Sequence, residues 1–157
     1  MSVGLIDTNL GLLLQRTKLL LDYKRIWYIV FQDKVLQNQI LFWIQQDQLF
    51  KEGVNEDNDV IGTYSQFTQM INPEKVAGEH YTLFDSGDFY RSMLITVGFG
   101  TLLIDADTVK MESENWWRDN DIKKDKILGL TDENKTKLAQ KLTFAYRKAI
   151  KEILPKY

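Results

Sequence analysis

Residues 93–107 read MLITVGFGTLLIDAD, and this stretch decides the fold. Met93, Ile95 and Val97 alternate with Leu94, Thr96 and Gly98, the period of two that sends successive side chains to opposite faces of a strand. TLLIDAD repeats the apolar content after Gly98 and Gly100, so the two halves predict antiparallel strands joined by a tight turn. A glycine loop that cradles phosphate needs a helix N-terminus behind it. VGFGT stands between two strands instead, and neither G-x-x-x-x-G-K-S/T nor G-x-S-x-G occurs in the chain.

Just before the strand pair, TLFDSGDFYRS (82–92) reads as a turn that opens a short helix. Residues 66–80, with Pro73 and Gly78, read as a surface loop with at most one helical turn, long enough to be functional or interfacial. Further upstream, Leu49 and Phe50 lead into the polar turn EGVNEDND, and Val60, Ile61 and Tyr64 lead out, so residues 48–65 predict a hairpin. The first 46 residues predict two amphipathic helices. One runs from about Asp7 to Phe31 on a leucine stripe continued by Trp27, Tyr28 and Phe31; the other spans Lys34 to Gln46 and carries Leu36, Ile40, Trp43 and Ile44.

At the far end, Thr131 is placed to cap a helix with Asp132 and Glu133 in its first turn, where negative charge suits the helix dipole. Leu138, Leu142, Ala145, Ala149 and Ile153 form its apolar stripe, and Pro155 ends it. The fold class is therefore α+β: an antiparallel sheet packed with flanking helices. One domain is expected over 1–157, made of an N-terminal helical arm (1–46), a sheet-containing core (47–130) and a C-terminal helix (131–157).

Composition bounds the chemistry. The 157 residues contain no cysteine and a single histidine, which removes thiolate sites and any metal site built on two imidazoles of one chain. Twenty basic against 22 acidic residues leave a net charge of −2, so strong whole-molecule attraction to nucleic acid or an anionic membrane is not expected. No apolar run is long enough to cross a bilayer, and MSVGLIDTNLG lacks the features of a secretory signal. A soluble protein of a reducing compartment is the expectation.

Candidate chemistry is sparse. Asp85 and Asp88 bracket a turn, and Asp105 and Asp107 close a strand with one residue between them, a spacing that could converge on magnesium. Aspartates also end strands and cap helices routinely, and no glutamate-rich face completes the set. His80 is a residue type that can act as general acid or base, but its neighbours Glu79 and Tyr81 offer no nucleophile, so an exposed loop residue is expected. Trp116 and Trp117 sit together in a polar stretch and suit either a partner's pocket or the core. With Trp27 and Trp43 they are the candidate interface residues. The C-terminal lysines read as a solvated face. No catalytic residue, cofactor site or metal site is assigned, and a binding or structural role is expected rather than an enzyme.

The residues of 82–92 also carry a resemblance. Leu83, Asp85, Ser86, Gly87, Phe89 and Ser92 fit the pattern L-x-D-S/T-G-x-apolar-x-x-S, which resembles a signature of tailed-phage neck and tail-completion proteins, the head–tail joining group. DQLFKEG and VIGTYS resemble the hairpin that precedes the motif in that group. ILGLTDENKTKLAQKL is similar to the close of ring proteins in the tails of crAss-like phages. The resemblance spans Gln48 to Leu142 and implies fold-maintaining roles for the motif. It implies a virion component assembled in the bacterial cytoplasm as a homo-oligomeric ring, hexameric or dodecameric. Its partners would be adjacent portal, ring or tail proteins and channel DNA bound without sequence specificity, with no membrane. The N-terminal helices, the 66–80 loop and the Trp116–Trp117 segment are then the expected contacts between subunits. The rival readings are a metal-dependent enzyme built on Asp85, Asp88, Asp105 and Asp107, and an adaptor that binds one host protein.

Overall fold

Two aspartates cut the N-terminal part of the chain into three helices. The leucine stripe predicts one continuous helix up to Phe31, but Asp22 accepts a hydrogen bond from the Arg25 N–H (3.1 Å) and so starts a new helix. Asp33 does the same for the Val35 N–H (2.8 Å). The computed structural model describes residues 9–108 and 124–153. Within them, α1 is Asn9–Leu21, α2 is Tyr23–Phe31 and α3 is Lys34–Phe42. α3 runs on without a break into wider π-type turns over Trp43–Glu52.

That extension corrects the hairpin expected over 48–65. Leu49 is fully buried together with Ile40 and Ile44, and the helix ends only at Gly53, whose φ of +63° suits a residue without a side chain. What remains of the hairpin is a single bridge between Val54 and Val60 around an Asn55 turn. The Asn55 side chain accepts from the N–H groups of Asp57 (2.9 Å) and Asp59 (3.0 Å). The turn chemistry acts only from Gly53 onward, because the widened turns before it bury all three side chains on one face.

The 66–80 loop contains the short helix α4, Gln66–Ile71, capped by Ser65. Its neck is closed by the Thr63–His80 bridge and by the Tyr64 N–H to Glu79 O bond (2.8 Å). α5, Asp88–Ser92, then leads into β1, Leu94–Gly98, and β2, Thr101–Asp105. The two strands pair antiparallel, Leu94 with Asp105 through Gly98 with Thr101, as the alternation predicts. Ile95, Val97, Leu102 and Ile104 pack inward, while Leu94 and Leu103 face outward and are exposed. At the turn, Phe99 stacks on Tyr28 of α2 (4.8 Å between ring centres), which pins the ribbon tip to a helix. α6, Lys124–Ile127, precedes the long α7, Asp132–Ile153. The fold class is α+β, with helix predominant.

α2 and α7 pack along each other, and β1 also contacts α2. Ile26, Val30 and Phe31 are buried in the same core as Ile40, Leu49, Phe89, Met93 and Ala149. α2, the end of the first helix expected for the N-terminal arm, is thus part of the core, so removing residues 1–31 would remove core side chains as well as an arm. No helix among the described residues is long and apolar enough to cross a membrane.

One buried amide joins the two ends of the fold. Gln48, fully buried in the π-type turns, donates to Gly129 O (2.9 Å) and accepts from the Thr131 N–H (3.0 Å) and the Asn134 side-chain amide (2.9 Å). Thr131 also caps α7 through its hydroxyl, which accepts from the Asn134 N–H (3.4 Å). Gln48→Ala leaves the buried Thr131 N–H and Asn134 side-chain amide, and the half-buried Gly129 O, without this partner. At about 1–3 kcal/mol for each buried group left without a partner, the variant is expected to lose roughly 3–5 kcal/mol, read as a lower urea midpoint at unchanged slope.

Candidate functional site

The motif segment is held in a strained shape by polar groups around it. Leu83 is buried and has φ of +52°, a left-handed conformation that costs a residue with a Cβ about 1 kcal/mol or more. Hydrogen bonds fix the residues on both sides of it. The Thr82 N–H donates to the Tyr64 hydroxyl (3.0 Å), and the same hydroxyl bonds the Thr82 side chain (3.0 Å). Tyr90 donates to Thr82 O, and Lys75 donates to Phe84 O while lying over the Tyr64 ring. Lys75 belongs to the 66–80 excursion, so this cluster fastens that loop onto the motif.

The remaining motif residues complete the turn. Gly87 stands at the N-cap of α5 with φ of +79°. A Cβ there would lie 2.9 Å from the Arg91 guanidinium and 3.1 Å from the Phe84 ring, so the position needs glycine for both conformation and space. Ser86 Oγ accepts from the Asp88 N–H (3.4 Å) at the first residue of α5 and its hydroxyl donates to the Asp88 carboxylate, which also pairs with Arg91. Phe89 is buried. Ser92 donates to Phe89 O (2.8 Å) and accepts from the Asp107 N–H (2.9 Å), tying the end of α5 to the residue beyond β2. The motif is a structural buttress, made to position what surrounds it.

Two of the aspartates considered for a metal site bond to nearby residues, Asp88 to Ser86 and Arg91 and Asp105 to the chain beside it. Asp105 ends β2 and accepts from the Ala106 N–H (2.8 Å), and Asp107 lies past the strand, so the two are not partners on one strand face. Among the described residues no three histidine, aspartate or glutamate side chains gather as a metal site would require. His80 is half-buried rather than a free loop residue. Its Nε2 lies 3.2 Å from Phe50 O, and its ring covers Gly53 so closely that a Cβ there would collide with it.

The four tryptophans divide. Trp43 is only 5% exposed and Trp27 is half-buried against Phe31 (4.4 Å between ring centres). Trp43 belongs to the core and Trp27 packs against it, so neither stands open as a large exposed aromatic. Trp116 and Trp117 lie outside the described residues.

Exposed apolar side chains lie elsewhere. On α4, Phe67 (70%), Met70 (82%) and Ile71 (70%) are open to solvent at the i, i+3, i+4 spacing of one helical face, with Val76 just beyond. On the ribbon, Leu94 and Leu103 form a second exposed face. The apolar positions of QFTQMI carried a signal for the first face, since three of six residues fall on one side of a helix in a polar surrounding. The amide and phenol cluster carried none. Comparison with protein-family models, with curated proteins and with solved structures finds no match.

Burial, and secondarily the neighbouring Tyr64 phenol, pushes the Tyr90 hydroxyl well above the ordinary tyrosine value of 10. The folded chain favours the protonated phenol. Its contribution is therefore complete below pH 10, where an unfolded tyrosine also keeps its proton, and declines as pH rises above that. Tyr90→Phe is expected to cost about 1 kcal/mol at neutral pH through the lost bond to Thr82 O. It should also flatten the fall in stability above pH 10, measured by denaturant titration at stepped alkaline pH.

Proposed function

We propose that the chain is a ring-forming structural component of a phage neck or tail, placed around the DNA channel in tail completion or head–tail connection. One observation carries this reading: two unlike apolar faces, Phe67–Met70–Ile71 on α4 and Leu94–Leu103 on the ribbon, stand open on one small fold. Contiguous apolar surface of this kind marks contact sites. A closed ring of identical subunits needs two different surfaces, because each copy meets its neighbours head to tail.

Two further features support it. The sequence of 83–92 resembles the head–tail joining signature, and its rigid seat on Tyr64, Lys75 and Tyr90 would present α4 in a fixed orientation. A net charge of −2 lets many copies pack side by side with little mutual repulsion and gives no strong hold on channel DNA. In this reading the protein works as part of the virion, against itself and the rings above and below it, and does so without catalysis.

Mass spectrometry of purified particles should find the chain in multiple copies. Phe67→Asp with Met70→Asp, at exposed positions, is expected to keep the wild-type circular dichroism and melting temperature. The same variant should shift the sedimenting species from ring to monomer. A chain absent from particles that forms a defined 1:1 complex with a host protein would replace this reading with an adaptor. Magnesium-dependent turnover lost on Asp105→Asn would replace it with an enzyme.

A further inference from the structure

Between α3 and α7 lies an open groove of about 400 Å³ lined by Gln39, Trp43, Lys137, Gln140, Lys141 and Phe144. Its volume is in the range of sites that take a bulky side chain or small ligand. Trp43 contributes from the core, whereas Phe144 is 71% exposed. An aromatic of that size left open on a helix otherwise polar on that side is unusual without a covering partner.

The cations are unevenly used. Lys137 is already paired with Glu133 (2.9 Å) and lies 4.0 Å from Asp47. Lys141 has no ion-pair partner among the described residues, and neither do Lys148 and Lys151. Positions 141, 144, 148 and 151 repeat at the spacing of one helical face. The groove therefore opens onto a cationic strip with one aromatic in it. The matching chemistry is a segment that is acidic and aromatic.

The chain itself contains such a segment. Glu112–Asp121 reads ESENWWRDND, with four carboxylates, one arginine and the two adjacent tryptophans. We propose that the α3–α7 groove receives the Glu112–Asp121 segment of a second copy, with a tryptophan against Phe144 and Trp43 and carboxylates on Lys141 and Lys148. The inference rests on the reading of the chain as self-assembling, and it names one contact of that assembly. Donor segment and acceptor groove are different surfaces of one chain, so each copy gives to one neighbour and receives from another.

Two full-length variants separate the halves. Trp116→Ala with Trp117→Ala removes the donor; Lys141→Glu with Phe144→Ala removes the acceptor at two exposed positions. Fluorescein-labelled peptide 109–123 is expected to bind the donor-deficient chain, weaken several-fold in high salt, and bind the acceptor-deficient chain at least about tenfold more weakly. Neither variant should assemble alone. Mixed, they should form a heterodimer, because the intact segment of one variant meets the intact groove of the other.

Failure of the peptide to bind while the wild type still assembles overturns this inference and leaves the ring reading standing. Peptide binding without heterodimer formation overturns it too, since the segment then fills its own chain's groove. Binding of a short DNA duplex in place of the peptide would make the strip a nucleic-acid contact and equally overturn the proposal. A wild-type chain that stays monomeric and is absent from particles, whatever the peptide does, is instead the failure of the ring reading.

Discussion

The Gln48 amide holds together parts of the chain that sequence separates by more than eighty residues. Its Nε2 and Oε1 satisfy Gly129 O, the Thr131 N–H and the Asn134 side chain at once. Those are the end of the 124–131 segment and the first turn of α7, where backbone N–H groups have no helical partner of their own. A long amphipathic helix can slide or rotate on an apolar surface at little cost. Anchoring its first turn to a fully buried amide fixes both register and rotation. That in turn decides which α7 residues meet α2 and which stay in solvent.

The π-type turns make this anchor possible. Along an ordinary α-helix from Lys34, the step from Ile40 and Ile44 to Leu49 would drift off the buried face. Widened turns bring Ile44, Gln48 and Leu49 inward together. Neighbouring amides follow the same logic. Gln45 donates to Tyr90 O (2.8 Å) and Gln37 to Phe31 O (2.6 Å), so one helix face uses glutamines to hold carbonyls at the end of α2 and within α5. Each bond is modest in net terms, and Tyr90 O accepts from the Met93 N–H (3.3 Å) as well.

Much of this architecture was legible in the residues. The strand pair followed from strict alternation between Met93 and Gly98, and α7 from a cap, an acidic first turn and a stripe ending at Ile153. Both are signals carried by local spacing. Asp22 was readable as a capping residue in principle, but the leucine stripe runs straight across it and masks the break. The 48–65 stretch misled because its glycine and Asn/Asp cluster are true turn formers placed directly after a helix, and turn chemistry does not say what precedes the turn. The burial of Trp27 and Trp43 was not legible, because a large aromatic in an amphipathic stretch fits a core as well as a surface, and only packing decides. The roles of Gln48, Tyr64 and Lys75 had no sequence signal at all, since each depends on partners brought together by the finished fold.

The distribution of strain and exposure bears on what the fold is for. A left-handed Leu83, held by Tyr64, Tyr90 and Lys75, is energetically unfavourable on its own and persists because the surrounding bonds over-determine it. Those bonds make the 66–80 excursion rigid at its neck, yet its outer face carries Phe67, Met70 and Ile71 in solvent. A chain selected only to be stable and monomeric gains nothing from ordering a loop in order to expose three large apolar side chains. The arrangement makes sense when the exposed face is buried in the working state. Conformational entropy has then been spent in advance, so little ordering remains to oppose association. In the proposed ring, a net charge of −2 would likewise leave little repulsion between copies to oppose association.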